Sequence, residues 1–259
     1  MKMNPNPRLV VSLGFTLALV AVAALPAAAA TIGFEAPGYT VGAAPPAPWQ
    51  NNGHAVVGSD AHTGAQALDT VEWSSTPGGA DYGMASLTFP QVDHGSLSVY
   101  VRPSTDISGA NFLNLAAVRL RNGFDELAAD AYFALNDYGF TLGHPAANAW
   151  DAKWWAGWSN SGAAKFESGG WYNVTFSWDV PANQITVKVV GTGVNGTGSG
   201  SIIHGSAPTK VELAGGGIIG GHATFDDLTV AVPEPTGTLL FATGMMALVC
   251  WRKRRTDRR

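Results

Sequence analysis

Residues 172–178, Tyr-Asn-Val-Thr-Phe-Ser-Trp, alternate without a break. Tyr172, Val174, Phe176 and Trp178 share one face of an extended chain; Asn173, Thr175 and Ser177 share the other. That period of two suits a strand with one buried side and excludes an amphipathic helix. Residues 179–183 contain Pro181 and form a turn, after which Ile185, Val187 and Val189 repeat the alternation. The pair reads as a β-hairpin. Further strands are expected at 96–101, 112–121, 129–135, 140–143, 209–213 and 224–230, with a turn at 136–139. Loops are expected at 43–48 and across the Gly/Thr/Ser-rich stretch 191–201. Helical periodicity is nearly absent; 124–130 is the single short segment that could be helical. Many short strands separated by turn residues point to an all-β sandwich rather than a βαβ fold.

The two ends of the chain differ from this middle. Lys2 and Arg8 precede an apolar run at 9–25, and small residues at 26–30 follow, so 1–30 reads as a signal peptide cut between Ala30 and Thr31. At the other end, Pro233, Glu234 and Pro235 interrupt regular structure, because proline removes a donor and fixes φ. Residues 236–251 carry no charge and would span roughly 24 Å as a helix. Six of the eight residues in 252–259 are Arg or Lys, which holds that end in the cytoplasm. The order Val-Pro-Glu-Pro, apolar helix with Gly237 and Gly244, then basic cluster resembles the PEP-CTERM sorting signal. The resemblance implies recognition by an exosortase, removal of the tail, a precursor anchored in the inner membrane, and a mature form at the cell surface or outside the cell. A plain tail anchor is the alternative.

The division is therefore signal peptide 1–30, β-sandwich 31–231 and sorting signal 232–259. Of the 15 Lys and Arg and 19 Asp and Glu in the chain, residues 31–235 hold seven and 18, a net charge of −11. Nucleic acid and anionic membrane surfaces are poor partners for such a domain. Neutral glycans and divalent cations suit it better. Cys250, the one cysteine, lies in the C-terminal apolar run, so the exported part has neither disulfide nor thiol.

Four stretches resemble concanavalin A-like, laminin-G-like jelly rolls: Phe34-Glu35 with Tyr39 and Gly42; residues 63–68; the hairpin beginning at Trp171; and 225–230, Phe-Asp-Asp-Leu-Thr-Val. In such a fold the first and last strands pair. That would bring Glu35 near Asp226 and Asp227, hard oxygen ligands that suit a structural Ca²⁺; the alternative is that these acids bind backbone or solvent. Neighbouring acids on a strand face opposite ways, so neither Asp125-Glu126 nor Asp226-Asp227 is expected to act as a pair. Glu-x-Asp-x-(x)-Glu, Gly-x-Ser-x-Gly and His-Glu-x-x-His are absent, and the six histidines lack metal-ligand spacing. A non-catalytic role is expected, with a polysaccharide hydrolase or lyase as the alternative. Four tryptophans, Trp150, Trp154, Trp155 and Trp158, fall within nine residues. Flat rings stack on the C–H faces of sugars, so these are the candidate glycan-binding residues; core packing is the competing reading. The sorting resemblance places the protein in an exopolysaccharide or biofilm matrix.

Overall fold

The computed structural model describes residues 29–71, 83–103, 113–135, 150–157, 159–166, 169–215 and 222–231. Residues Ala28–Val232 form one compact unit. Its strands are β1 (Ala29–Ile32), β2 (Gln50–Asn51), β3 (Ala55–Gly58), β4 (Ala67–Val71), β5 (Gly83–Thr88), β6 (His94–Pro103), β7 (Leu113–Asn122) and β8 (Leu127–Leu135). There follow β9 (Trp150–Ala156), β10 (Ser159–Lys165), β11 (Tyr172–Asp179), β12 (Gln184–Gly191), β13 (Val194–Gly200), β14 (Pro208–Gly215) and β15 (His222–Ala231).

They make two antiparallel sheets. One has eight strands, in the order β13-β12-β11-β6-β15-β4-β3, with β1 also on β15; the other has seven, in the order β10-β9-β8-β7-β14-β5-β2. Neighbours distant in sequence, such as β6 beside β15 and β7 beside β14, give the jelly-roll crossing between sheets. The first and last strands pair as expected, Ala29 opposite Ala231 and Ile32 opposite Leu228. A cut after Ala30 would leave Thr31 and Ile32 to keep that register.

The core lies between the inner faces. The hairpin read from 172–189 is β11–β12, in unbroken register from Tyr172–Gly191 to Asp179–Gln184. Tyr172, Val174, Phe176, Ile185, Val187 and Val189 are fully buried, and Trp178 nearly so, its indole N–H donating to the Val92 carbonyl at 3.0 Å. From the other sheet Val118, Leu120, Phe133, Val211 and Leu213 meet them, also fully buried. Side chains of this size each stabilise by roughly 1.5–3 kcal/mol when buried.

Two expectations are corrected. Residues 191–201 are not a loop: Val194–Gly200 is the edge strand β13, paired with β12 along its length. Its glycines and small polar residues look loop-like, yet they let the strand close on the opposite sheet. A side chain at Gly200 would run into the Ala156 carbonyl, so only glycine fits there. Residues 124–130 are not helical; 123–126 turn the β7–β8 hairpin. In that turn Asn122 Oδ1 accepts the N–H groups of Phe124 and Glu126, each at 3.0 Å, and Asp125 takes a left-handed φ of 63°. The strand expected at 140–143 and the turn at 136–139 lie outside the described residues.

Candidate functional site

The outer face of the seven-stranded sheet carries charge where its strands turn away from the core. Along β7, Ala116, Val118 and Leu120 point inward, which leaves Ala117, Arg119 and Arg121 outside. Along β8, Ala129, Ala131 and Phe133 point inward and leave Asp130 and Tyr132 outside. Strand β14 likewise presents Lys210, Glu212 and Ala214, and β5 presents Met84 and Ser86. Register aligns these residues into two rows across the strands. The polar row runs Ser86, Glu212, Arg119, Asp130. The apolar row beside it runs Met84, Ala214, Ala117, Tyr132, and these four pack as a cluster separate from the main core.

The polar row is recessed and its charges are incompletely matched. Glu212, with a side chain 5% exposed, accepts ion pairs from Arg121 Nε at 2.7 Å and Lys210 Nζ at 3.3 Å, both on Oε1. Asp130 Oδ2 lies 3.9 Å from Arg119 Nε. Glu212 Oε2 and Asp130 Oδ1 are buried and have no hydrogen-bond partner. Burial pushes the Asp130 carboxyl up to about 6, with Glu212 adding to the rise and Arg119 and Arg121 opposing it. Burial works to lower Lys210, but its bonds to Asp125 and Glu212 outweigh this and raise it. Buried polar atoms normally find partners; here two carboxylate oxygens and the neighbouring donor Arg121 Nε lack a hydrogen bond of good geometry.

A second carboxylate cluster lies on the other sheet, at the register shift in its interior strand β15, and differs in every bond. Asp226 is fully buried; its Oδ2 accepts the backbone N–H of His62 at 2.9 Å and of Thr63 at 3.0 Å, and its Oδ1 accepts that of Asp227 at 2.8 Å. Asp227 Oδ1 accepts the Thr63 hydroxyl at 2.7 Å, and its Oδ2 meets His62 Nδ1 at 2.9 Å. Glu35 Oε1 accepts the N–H of Ala65 at 2.8 Å and of Gln66 at 3.0 Å. Three carboxylates thus hold the loop 61–66. Burial raises the pKa of Asp226, against the backbone N–H bonds that lower it. His62 also stacks on Tyr100 at 3.6 Å between ring centroids, and Arg102 lies 5.0 Å above the Trp171 ring while pairing with Asp60.

The sequence places Asp226 and Asp227 on opposite faces; the structure gives both the same two partners, His62 and Thr63. The register of β15 against β6 shifts between Asp226 and Thr229, and Asp227 has φ 50°. A bulge with one left-handed residue re-aims the side chain that alternation would have turned away. Glu35 bonds the same loop as Asp226 and Asp227, but at Ala65 and Gln66 rather than at His62 and Thr63. The donors facing them are N–H, O–H and imidazole groups, and among the described residues no cluster of three or more His, Cys, Asp and Glu is arranged to hold a metal ion. A hard cation needs those oxygens free, so this arrangement does not fit Ca²⁺.

The tryptophan segment forms β9, next to β8. By register Trp155 stands opposite Asp130 on the polar row, whereas Trp154 stands opposite the core residue Ala131 and Trp150 opposite Leu135. The side chains of Trp150, Trp154 and Trp155 lie outside the described residues, as do Trp158, Pro233, Glu234, Pro235 and the segments 236–251 and 252–259. No helix among the described residues is long and apolar enough to cross a membrane. Sequence reading passed over Arg119, Arg121, Asp130, Lys210 and Glu212. Their signal was a charge set in the middle of an apolar strand, as in Ala-Ala-Asp-Ala-Tyr at 128–132 and Lys-Val-Glu-Leu at 210–213. Which of them stand abreast depends on register.

No curated protein sequence matches the chain. Among solved structures, the winged bean acidic lectin complexed with methyl-α-D-galactose is similar at TM-score 0.49 and 10% identity, covering 79% of this chain and 99% of the lectin. The alginate lyase Aly36B is similar at TM-score 0.48 and 8% identity, covering 80% of this chain and 98% of the lyase. A sialidase is similar at TM-score 0.46 and 12% identity over 81% of this chain, which spans only 19% of that protein. Residues 231–255 match the PEP-CTERM protein-sorting motif. The chain is an all-β sandwich of two antiparallel sheets with jelly-roll crossing, and its residues 231–255 carry a PEP-CTERM protein-sorting motif.

Proposed function

We propose that this protein is an exported, non-catalytic component of an exopolysaccharide matrix, and that its β-sandwich binds glycan on the outer face of the seven-stranded sheet. The sorting motif at 231–255 is the observation that carries the export and matrix reading. It supports anchoring of a precursor in the inner membrane, processing by an exosortase, and a mature form at the cell surface or beyond. The tryptophan-bearing strand β9, next to the polar row, supports the binding half. Of the tryptophans, Trp155 falls on the polar row by register, which makes it the first to test. The full-length chain in detergent micelles, applied to a glycan array that includes the host's own exopolysaccharide, tests the reading. Saturable binding supports it, and an array without signal overturns the glycan half while leaving export intact.

One observation favours a second reading. Glu212 and Asp130 share a row with Arg119 between them, so their backbones stand two strand spacings apart, about 10 Å. Glycoside hydrolysis uses two carboxylates at separations of this order, one protonated and one ionised. Asp130 with its raised pKa and Glu212 beside Arg121 and Lys210 match those roles in kind. Release of reducing ends from a bound polysaccharide, lost in both Asp130→Asn and Glu212→Gln, would establish an enzyme.

A further inference from the structure

Resting on the export reading above, we infer that strand β1 is a latch on the sorting motif. Its first two residues hold the entry to the motif in the sheet, and removal of the signal peptide after Ala30 frees that entry for the processing protease. The motif begins at Ala231, which is also the last residue of β15. Sheet and motif therefore share a residue. Val232 alone stands between Ala231 and Pro233, so the two are separated by at most about 7 Å of extended chain.

The sequence sets where the ladder stops. Pro233 and Pro235 have no backbone N–H and cannot donate to a neighbouring strand. Up to Ala231 the strand is paired on both sides. On one side Thr229, Val230 and Ala231 stand opposite Ser98, Leu97 and Ser96 of β6. On the other side β4 covers residues 222–225, and β1 takes over at residues 228–231, with Ala30 opposite Val230 and Ala29 opposite Ala231. The grip of the core ends just before the motif. Leu228 is fully buried and Val230 is 8% exposed, whereas Ala231 is partly exposed and offers only a methyl group. Ala231 is thus held by backbone pairing more than by packing.

That pairing is what the N-terminal cut changes. Cleavage between Ala30 and Thr31 takes away Ala29 and Ala30, the β1 partners of Ala231 and Val230. Thr31 and Ile32 stay opposite Thr229 and Leu228, with the two threonine hydroxyls joined at 2.9 Å. Val230 and Ala231 are left with β6 alone. A protease needs chain that has left the sheet, and when local opening is fast its rate follows the population of the opened form. An enzyme that takes hold of 233–235 with one residue to spare must draw Ala231 out of the ladder. Two-sided pairing opposes this more than one-sided pairing does. The N-terminal cut therefore promotes the C-terminal one, through a contact that neither terminal segment reveals by itself.

The test follows the full-length chain in membranes of its host, with an epitope placed after Arg259 to report loss of the tail. In a pulse–chase the parent should lose its signal peptide first and its tail second. Ala28→Leu combined with Ala30→Leu puts large residues where signal peptidase needs small ones and blocks the first cut. Ala30 is exposed, so the leucine leaves β1 in register. Loss of the tail should then slow by at least about fivefold, the effect of one hydrogen bond on an opening equilibrium. A Gly/Ser spacer of about six residues between Val232 and Pro233 should restore the rate in that same chain, because the motif then clears the sheet with the latch still closed. In detergent micelles, amide exchange at Val230 and Ala231 should quicken after signal peptidase treatment, while Thr224 and Phe225 under β4 stay as they were. Equal rates of tail loss with and without the block would overturn the latch and leave exosortase processing intact. A spacer that restores nothing, or exchange at Val230 and Ala231 that ignores the cut, would overturn it as well. A parent chain that never loses its tail in those membranes would sink both the latch and the processing reading.

Discussion

The two carboxylate clusters are built from the same chemistry and end in opposite states. At the loop 61–66, Glu35, Asp226 and Asp227 spend their oxygens on N–H, hydroxyl and imidazole groups of one short segment. On the seven-stranded sheet, Asp130 and Glu212 share their bonds with long cationic side chains and each leaves an oxygen unmet. The first cluster closes on itself and stabilises the fold. The second holds charge in a low-dielectric recess with capacity to spare. Buried carboxylates serve stability when backbone donors saturate them, and an unsaturated pair costs stability unless something else binds.

Removing one member from each cluster sharpens this contrast most. Asp226→Ala should destabilise by about 3–5 kcal/mol, because three backbone N–H groups lose their acceptor in a buried place. Chemical denaturation measures it, and a loss under 1 kcal/mol would break the comparison. Asp130→Asn should instead stabilise the protein at neutral pH, by about 1–3 kcal/mol, since the amide has no charge to desolvate.

The pH dependence has a definite sign. Asp130 binds its proton more tightly folded, at about 6, than unfolded, at the ordinary 3.8. Its cost is absent below about pH 4, grows as pH rises, and is complete above pH 6. Melting temperature should therefore show a downward component from pH 4 to 6 in the parent chain that is missing in Asp130→Asn. If the two profiles are parallel, the recess is better solvated than its geometry implies. Smaller effects follow at the surface. Arg102→Ala breaks a pair whose Asp60 partner is 65% exposed and should cost no more than about 1 kcal/mol, mostly through Trp171. The smallest expected effect is that of EDTA, which should leave the melting temperature where it was; a drop of several degrees would restore a cation to the Glu35–Asp226–Asp227 cluster.

Much of this molecule was legible from period alone. The hairpin 172–189 alternates strictly, and both its register and its buried face follow, because a one-residue slip would turn Phe176 and Val187 to solvent. The pairing of first and last strands was also expected. Two stretches defeated the same rule. Residues 194–200 carry almost no apolar signal, so nothing local marks them as a strand; their order comes from β12 on one side and the close approach of Ala156 on the other. At Asp226–Asp227 the rule of alternation was sound and the bulge suspended it.

By itself the sequence determined the class of fold, the sorting motif at 231–255, the acidity of residues 31–235 and the faces of its regular strands. These depend on residue type and on neighbours a few positions away. Tertiary structure alone decided which charges stand abreast. Glu212 and Arg119 are 93 positions apart and Glu35 and Ala65 are 30 apart, and each pair meets only through the crossing order of the strands. A mid-strand charge reads the same in sequence whether donors saturate it or leave it unmet. The difference lies in what register sets opposite it, and in how much water the surrounding chain excludes.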